Sequence, residues 1–294
     1  MTFDQSVLLG CVIAPFVLSA IALGAGRWLK TSTKIDSVCS AGLRSALVAW
    51  VFAIGWWVAM AVAMMARQGF QLWPPDSWQR CVWPLLAWSF LAVGAIDTKD
   101  RSWRWLMTVT LSGVTSFLCL PRGEAWEDTY EIQGLVGIGL TISMVANAWS
   151  LDRMARRGTE RWLLLVSLAA FGGPFALAAS TYASLAEWGL GLVSATTAFS
   201  LAGLLLKMDL VWAVAPGAAS ASVCLLAAGR FQTYEDHPSW LYAVMLLFPS
   251  LVASVDALLQ GRSTWIRVAV AACLSMVAVG TSVWYVLIRE TEAW

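Results

Sequence analysis

The chain reads as an all-α, polytopic integral membrane helix bundle of about ten transmembrane helices. Three observations carry that reading. Of its 294 residues, 59% are hydrophobic and only 13% charged, whereas a soluble domain is roughly half apolar and a quarter charged. Breaking the sequence wherever charges cluster leaves ten apolar runs of about 17 to 23 residues, each near the length that crosses a hydrocarbon core. Runs of this length are too long to be barrel strands, and lipid does not tolerate unpaired backbone, so each run is expected to be a helix. A net charge of +1 and the lack of any long polar stretch exclude an appended soluble domain and a nucleic-acid binder.

The expected spans cover residues 6–28, 45–66, 81–97, 104–120, 132–150, 162–183, 188–206, 210–229, 240–259 and 266–288. The first follows Asp4 with no Lys or Arg before it, and Arg27, Lys30 and Lys34 come after it. That polarity predicts a retained helix inserted with its N-terminus outward, not a cleaved signal peptide. The second carries adjacent Trp56 and Trp57 near mid-membrane. The third and fourth are short enough to lie untilted or to thin the bilayer. The fifth contains Asn147, the sixth Gly172-Gly173-Pro174, and the seventh the polar series Ser194, Thr196, Thr197 and Ser200. The eighth holds Pro216-Gly217 followed by Ser220 and Ser222, the ninth holds Pro249-Ser250, and the tenth has no proline.

Loop charges set the orientation. Fourteen of the nineteen Lys and Arg residues fall in the odd-numbered loops. These loops are therefore expected to be cytoplasmic, with both termini outside and a bacterial-type inner membrane as the simplest location. Most of the nineteen Trp residues sit where a span meets a loop, among them Trp28, Trp73, Trp78, Trp188, Trp240 and Trp265, as in an interfacial aromatic belt.

Two stretches align at an offset near 104 residues: Cys119-Leu120, Thr129-Tyr130-Glu131, Asp152, Arg157 and Arg161 against Cys224-Leu225, Thr233-Tyr234-Glu235, Asp256, Arg262 and Arg267. Since an even number of spans separates them, the copies would be parallel. The expected organisation is a single transmembrane domain over 1–294, with two leading helices in 1–66, one four-helix repeat in 67–183 and a second in 184–294. Three turns read as cytoplasmic repeat a smaller pattern, in which an apolar helix ends in Asp and Arg follows: Asp97 with Arg101, Asp152 with Arg157, and Asp256 with Arg262. Such pairs are expected to clasp hairpin turns, the Arg also meeting the helix C-terminal carbonyls.

Several chemistries are disfavoured. No ionisable residue falls in the middle of an expected span, which argues against an acid-coupled proton path. The lone histidine, His237, argues against bis-histidine haem and against zinc-protease or Ser-His sites. Six scattered cysteines without a Cys-x-x-Cys pair are expected to be apolar filler. No cofactor and no metal site is expected.

What remains is uncharged polarity and helix-breaking residues within the spans. Proline frees a backbone carbonyl, and glycine or serine lets a neighbouring helix reach it. Asn147, Gly173, Pro174, Thr196, Thr197, Ser200, Pro216 and Gly217 therefore form the candidate substrate cavity, among spans 5 to 8. The loops read as outer are acidic and aromatic, and Glu127, Asp128, Glu131, Glu235, Asp236 and His237 would supply a cation or partner site there. The expected function is a permease or facilitator for a small neutral or amphipathic solute, since transport is the common task of ten-helix proteins. The alternative is a non-catalytic structural or accessory subunit of a larger membrane complex. The expected partners are membrane lipid and other membrane subunits, with no nucleic acid.

Overall fold

The computed structural model describes residues 3–31, 41–65, 71–74, 76–97, 101–121, 127, 130–157, 183–206, 211–231 and 238–292. These residues are helical almost throughout. A short helix α1 (Phe3–Val7) continues through a π-helical turn (Leu8–Ile13) into α2 (Ala14–Thr31), followed by α3 (Ala41–Met65). A 3-10 turn at Ser77–Cys81 leads into α4 (Val82–Asp97), α5 (Arg101–Cys119) and α6 (Tyr130–Arg157). After a break come α7 (Ala183–Leu206), α8 (Val211–Phe231), α9 (Ser239–Leu258) and α10 (Thr264–Glu292).

Seven of the described helices are long and apolar enough to cross a membrane: Gln5–Thr31, Ala46–Met65, Tyr130–Met154, Ser184–Leu206, Ala213–Phe231, Ser239–Leu258 and Thr264–Tyr285. The chain is thus an all-α integral membrane protein. At 16 residues, α4 is too short to count among them, and α5, which opens with Arg101 and Arg104, is not among them either. The sixth expected span lies outside the described residues, as does the fourth helix that a superposition of the two proposed repeats would need.

The bundle is organised around α8. It touches each helix from α3 to α7 and also α9, and its sequence explains why. Eleven of its 21 residues are Ala, Gly or Ser. Such residues let backbones approach closely, and in lipid that van der Waals contact replaces the missing hydrophobic drive between helices. A Cβ built on Gly217 would lie 2.7 Å from Cζ3 of Trp56, so the indole of α3 occupies the groove that glycine opens. Around this hub, Phe52 meets Phe199 edge-on at 5.9 Å between centroids. Trp78 stacks on Trp188 at 5.5 Å. Both of those indoles are fully buried, so the expectation that they belong to an interfacial belt is corrected. By contrast, Trp28, Trp73, Trp103, Trp240, Trp265 and Trp284 are exposed.

Backbone caps tie the periphery down. Lys30 at the end of α2 donates to the Leu206 carbonyl at the end of α7 at 3.0 Å, a cation meeting otherwise unpaired C-terminal carbonyls. Trp57 donates to the Val82 carbonyl at 2.8 Å and Trp83 to that of Leu72 at 3.0 Å, fixing the α3–α4 connection onto the bundle. The described helix packed least is α10, which lies mainly against α9. The turn between them closes through Gly261, whose φ of 92° lies in the left-handed region where a side chain would be strained.

Candidate functional site

The residues expected to line one cavity separate into two packed seams. The first joins α6 to α9. Asn147 is fully buried, its Nδ2 donates to the Leu246 carbonyl at 2.7 Å, and its Oδ1 accepts from Ser250 at 2.8 Å. Ser150 lies 3.2 Å from the same Ser250 hydroxyl. Pro249 interrupts α9 next to this contact. Its missing N–H leaves the Met245 carbonyl, four residues earlier, without a helical donor, and Asn147 donates to the neighbouring Leu246 carbonyl. Both ends of the Asn147 amide are used up in joining α6 to α9.

The second seam joins α3, α7 and α8. Trp56 Nε1 donates to Thr196 Oγ1 at 3.3 Å, and Ser200 returns its hydroxyl to the Thr196 carbonyl at 2.6 Å. Gly217, next to Pro216, takes the edge of the Trp56 ring. Thr196 and Ser200 are buried, and the Thr197 hydroxyl is buried with no hydrogen-bond partner among the described residues. Gly173 and Pro174 lie outside the described residues. The polarity that suggested a solute path is consumed, for the most part, in joining helices.

The turns read as cytoplasmic also change partners. Asp256 is buried, but its guanidinium comes from Arg267, with Nε donating to Oδ1 at 2.7 Å and Nη2 to Oδ2 at 2.8 Å. Arg262, the partner expected from sequence spacing, is exposed. The reason is geometric: Arg262 belongs to the turn around Gly261, where its N–H closes back on the Leu259 carbonyl. One turn into α10, Arg267 reaches the carboxylate with both arms of its fork. Asp152 is buried near the end of α6 and is engaged by a partner. Asp97, Arg101 and Arg157 terminate or begin helices, and their side chains lie outside the described residues. Among the loop candidates, Glu127 and Glu131 are exposed, while Asp128, Glu235, Asp236 and His237 lie outside the described residues.

Two features were missed from sequence. One is Glu187, assigned to a loop but located in the second turn of α7 and buried. It is engaged there, within electrostatic reach of Cys11 in the π-helical turn. Cutting apolar runs at charges necessarily put this residue outside a span. The other is a half-open cavity of about 340 Å³ between α6, α8 and α9. Its floor is Leu140, Leu226, Ala227 and Tyr242, all buried, and its rim is Ile132, Ser239 and Ala243, all exposed. Arg230 is its one charged lining residue. No periodicity signals such a site, because its walls are ordinary apolar positions on three separate helices.

Among the described residues, no three His, Cys, Asp or Glu side chains come together as a metal site. Cys11, Cys81, Cys119 and Cys224 are buried free thiols, and Cys273 is an exposed one. No protein-family model matches the sequence, no curated protein is similar to it, and no solved structure matches it.

Proposed function

We propose that the protein is a permease or facilitator for a small amphipathic solute, which it takes up laterally from the bilayer into the cavity between α6, α8 and α9. The single observation carrying this reading is that cavity. Its volume of about 340 Å³ lies within the roughly 300–1,000 Å³ of small-molecule sites. Its walls come from three helices that are each long and apolar enough to cross a membrane, and its lining is apolar apart from a few polar groups at one end. A solute with an apolar body and a polar tip matches that arrangement. The reading carries with it ten spans, both termini outside, a bacterial-type inner membrane and the parallel four-helix repeat argued from the sequence.

A second reading, a non-catalytic accessory subunit of a larger membrane complex, draws on a different observation. Against its slight packing on the rest of the bundle, α10 exposes Trp265, Ile266, Met276, Val277 and Trp284. Lipid can cover such a face, and so can another membrane helix. Purification from the native membrane in gentle detergent, followed by native mass measurement, separates the two. A lone monomer or homodimer, together with uptake of an amphipathic solute by reconstituted vesicles, is the expected result. A stoichiometric set of other membrane proteins, with no uptake by the isolated chain, would replace the permease with the subunit.

A further inference from the structure

We infer that the cavity between α6, α8 and α9 binds a single-chain anionic amphiphile, a fatty carboxylate, with its head group held by Arg230. This rests on the permease reading and names its substrate class. Arg230 closes the last turn of α8 and is half-buried. No hydrogen bond, ion pair or ring contact engages it among the described residues. Of the other arginines, Arg267 is engaged by Asp256, Arg80 by the Pro74 carbonyl and Arg153 by the Trp149 ring, while Arg27 and Arg262 are exposed. A guanidinium next to apolar walls is poorly screened and offers five donors in a planar fork, which a carboxylate meets with two parallel bonds. A neutral solute would leave those donors unmet, and a cationic one would be repelled.

The same cavity selects the tail. Below Arg230 the lining runs through Leu226, Leu246, Val136 and Leu140, with no charged group. The Tyr242 hydroxyl is turned away from this role, since it donates to the Gly229 carbonyl at 3.4 Å. A volume near the lower end of small-molecule sites admits one alkyl chain and excludes the second chain of a phospholipid. Helix α8 also benefits, because its last turn carries unpaired carbonyls, and a cation there is retained whether or not ligand is bound. Arg230 can therefore stay in place in the empty protein.

The test is photolabelling of the full chain in phosphatidylcholine nanodiscs, using dodecanoate with a tail diazirine and the matching dodecanol. Cross-links are mapped by mass spectrometry. Dodecanoate is expected to label the Leu226–Ala227 peptide, and Arg230→Gln is expected to cut that labelling about tenfold or more, the loss of a charge-assisted hydrogen bond. Dodecanol labelling should be weaker and unchanged by the substitution. Arg230→Lys should restore part of the dodecanoate signal, and Ala243→Trp at the exposed rim should abolish labelling by both probes in a chain that remains folded. Equal labelling by acid and alcohol, indifferent to Arg230→Gln, would overturn the anion assignment while leaving an amphipathic-solute site standing. No labelling of the cavity by either probe would overturn the permease site itself. Loss of dodecanoate labelling when phosphatidylglycerol is added would make an anionic lipid head group the occupant and overturn the single-chain assignment.

Discussion

Helices α8 and α10 are both long and apolar, yet 89% of the membrane-crossing stretch of α8 is buried in the bundle against 22% of that of α10. The more central helix is the less hydropathic of the two. In water that order would be reversed, because burial there follows hydrophobicity. In a bilayer the surroundings are as apolar as leucine, so what draws a helix inward is small size and shared hydrogen bonds. Ala, Gly and Ser account for eleven of 21 residues in α8 but only seven of 29 in α10. The core of this protein is therefore built from the smallest and least hydropathic of these spans, and a more lipid-like span is left at the edge.

This contrast predicts how hard each helix is to perturb. The largest effect is expected from Gly217→Leu, which drives a side chain into the Trp56 ring already 2.7 Å from where a Cβ would be. The cost is expected to be about 3 kcal/mol or more, read as loss of monodisperse protein and a lowered unfolding temperature in detergent. The same change at Gly280 of α10, where nothing lies within 4 Å of a built Cβ, should stay within about 0.5 kcal/mol. Equal damage at both sites would erase the distinction.

Breaking the clasp that attaches α10 comes next. Asp256→Asn leaves the Arg267 guanidinium without its charge partner in a largely buried setting, a change that costs about 3 kcal/mol when the group is well buried. The loss should be local. Hydrogen exchange should rise in α10 and in the turn at Gly261 while α8 stays protected, and Arg262→Gln, at an exposed position, should change neither.

Smaller effects belong to the two polar seams. Asn147→Leu removes a donor from the Leu246 carbonyl and an acceptor from Ser250, for an expected cost of about 1–2 kcal/mol. Thr196→Val keeps the Trp56 ring in the Gly217 groove and deletes the acceptor of the 3.3 Å bond from Trp56 Nε1, for about 0.6 kcal/mol. Both are measured by thermal unfolding. A Thr196→Val loss as large as that of Gly217→Leu would mean that the hydrogen bond to α7, not the fit of the ring against α8, holds α3 in place.

Much of the architecture was legible in the sequence, because run length and charge placement are what a bilayer reads as well. The described helices begin and end close to the expected apolar runs. What periodicity and composition do not carry is the pairing of side chains across helices. Asn147 was recognisable as buried polarity and Pro249 as a helix breaker, but nothing in the chain order says that Asn147 meets the Leu246 carbonyl, 99 residues away. Asp256 was recognisable as slightly inside the apolar run. Its partner was misassigned because sequence distance favoured Arg262, whereas the helical geometry of α10 brings Arg267 to it. Glu187 was lost to the rule that defined the spans. The cavity was illegible for a different reason, since Val136, Leu226 and Leu246 differ in no way from lipid-facing residues until three helices enclose them.

The claim that ties these points together is that the intramembrane polar residues are structural seams while solute binds at the α6, α8 and α9 cavity. It is tested most directly by thiol accessibility in native membranes, with the six native cysteines replaced by alanine and one cysteine introduced at a time. Reaction with a small membrane-permeant methanethiosulfonate is expected at Ala227→Cys on the cavity floor, slowed by added dodecanoate, and is expected to be absent at Thr197→Cys. Ready modification of Thr197→Cys, protected by solute, with an unreactive Ala227→Cys, would contradict the account and return the solute path to the centre of the bundle.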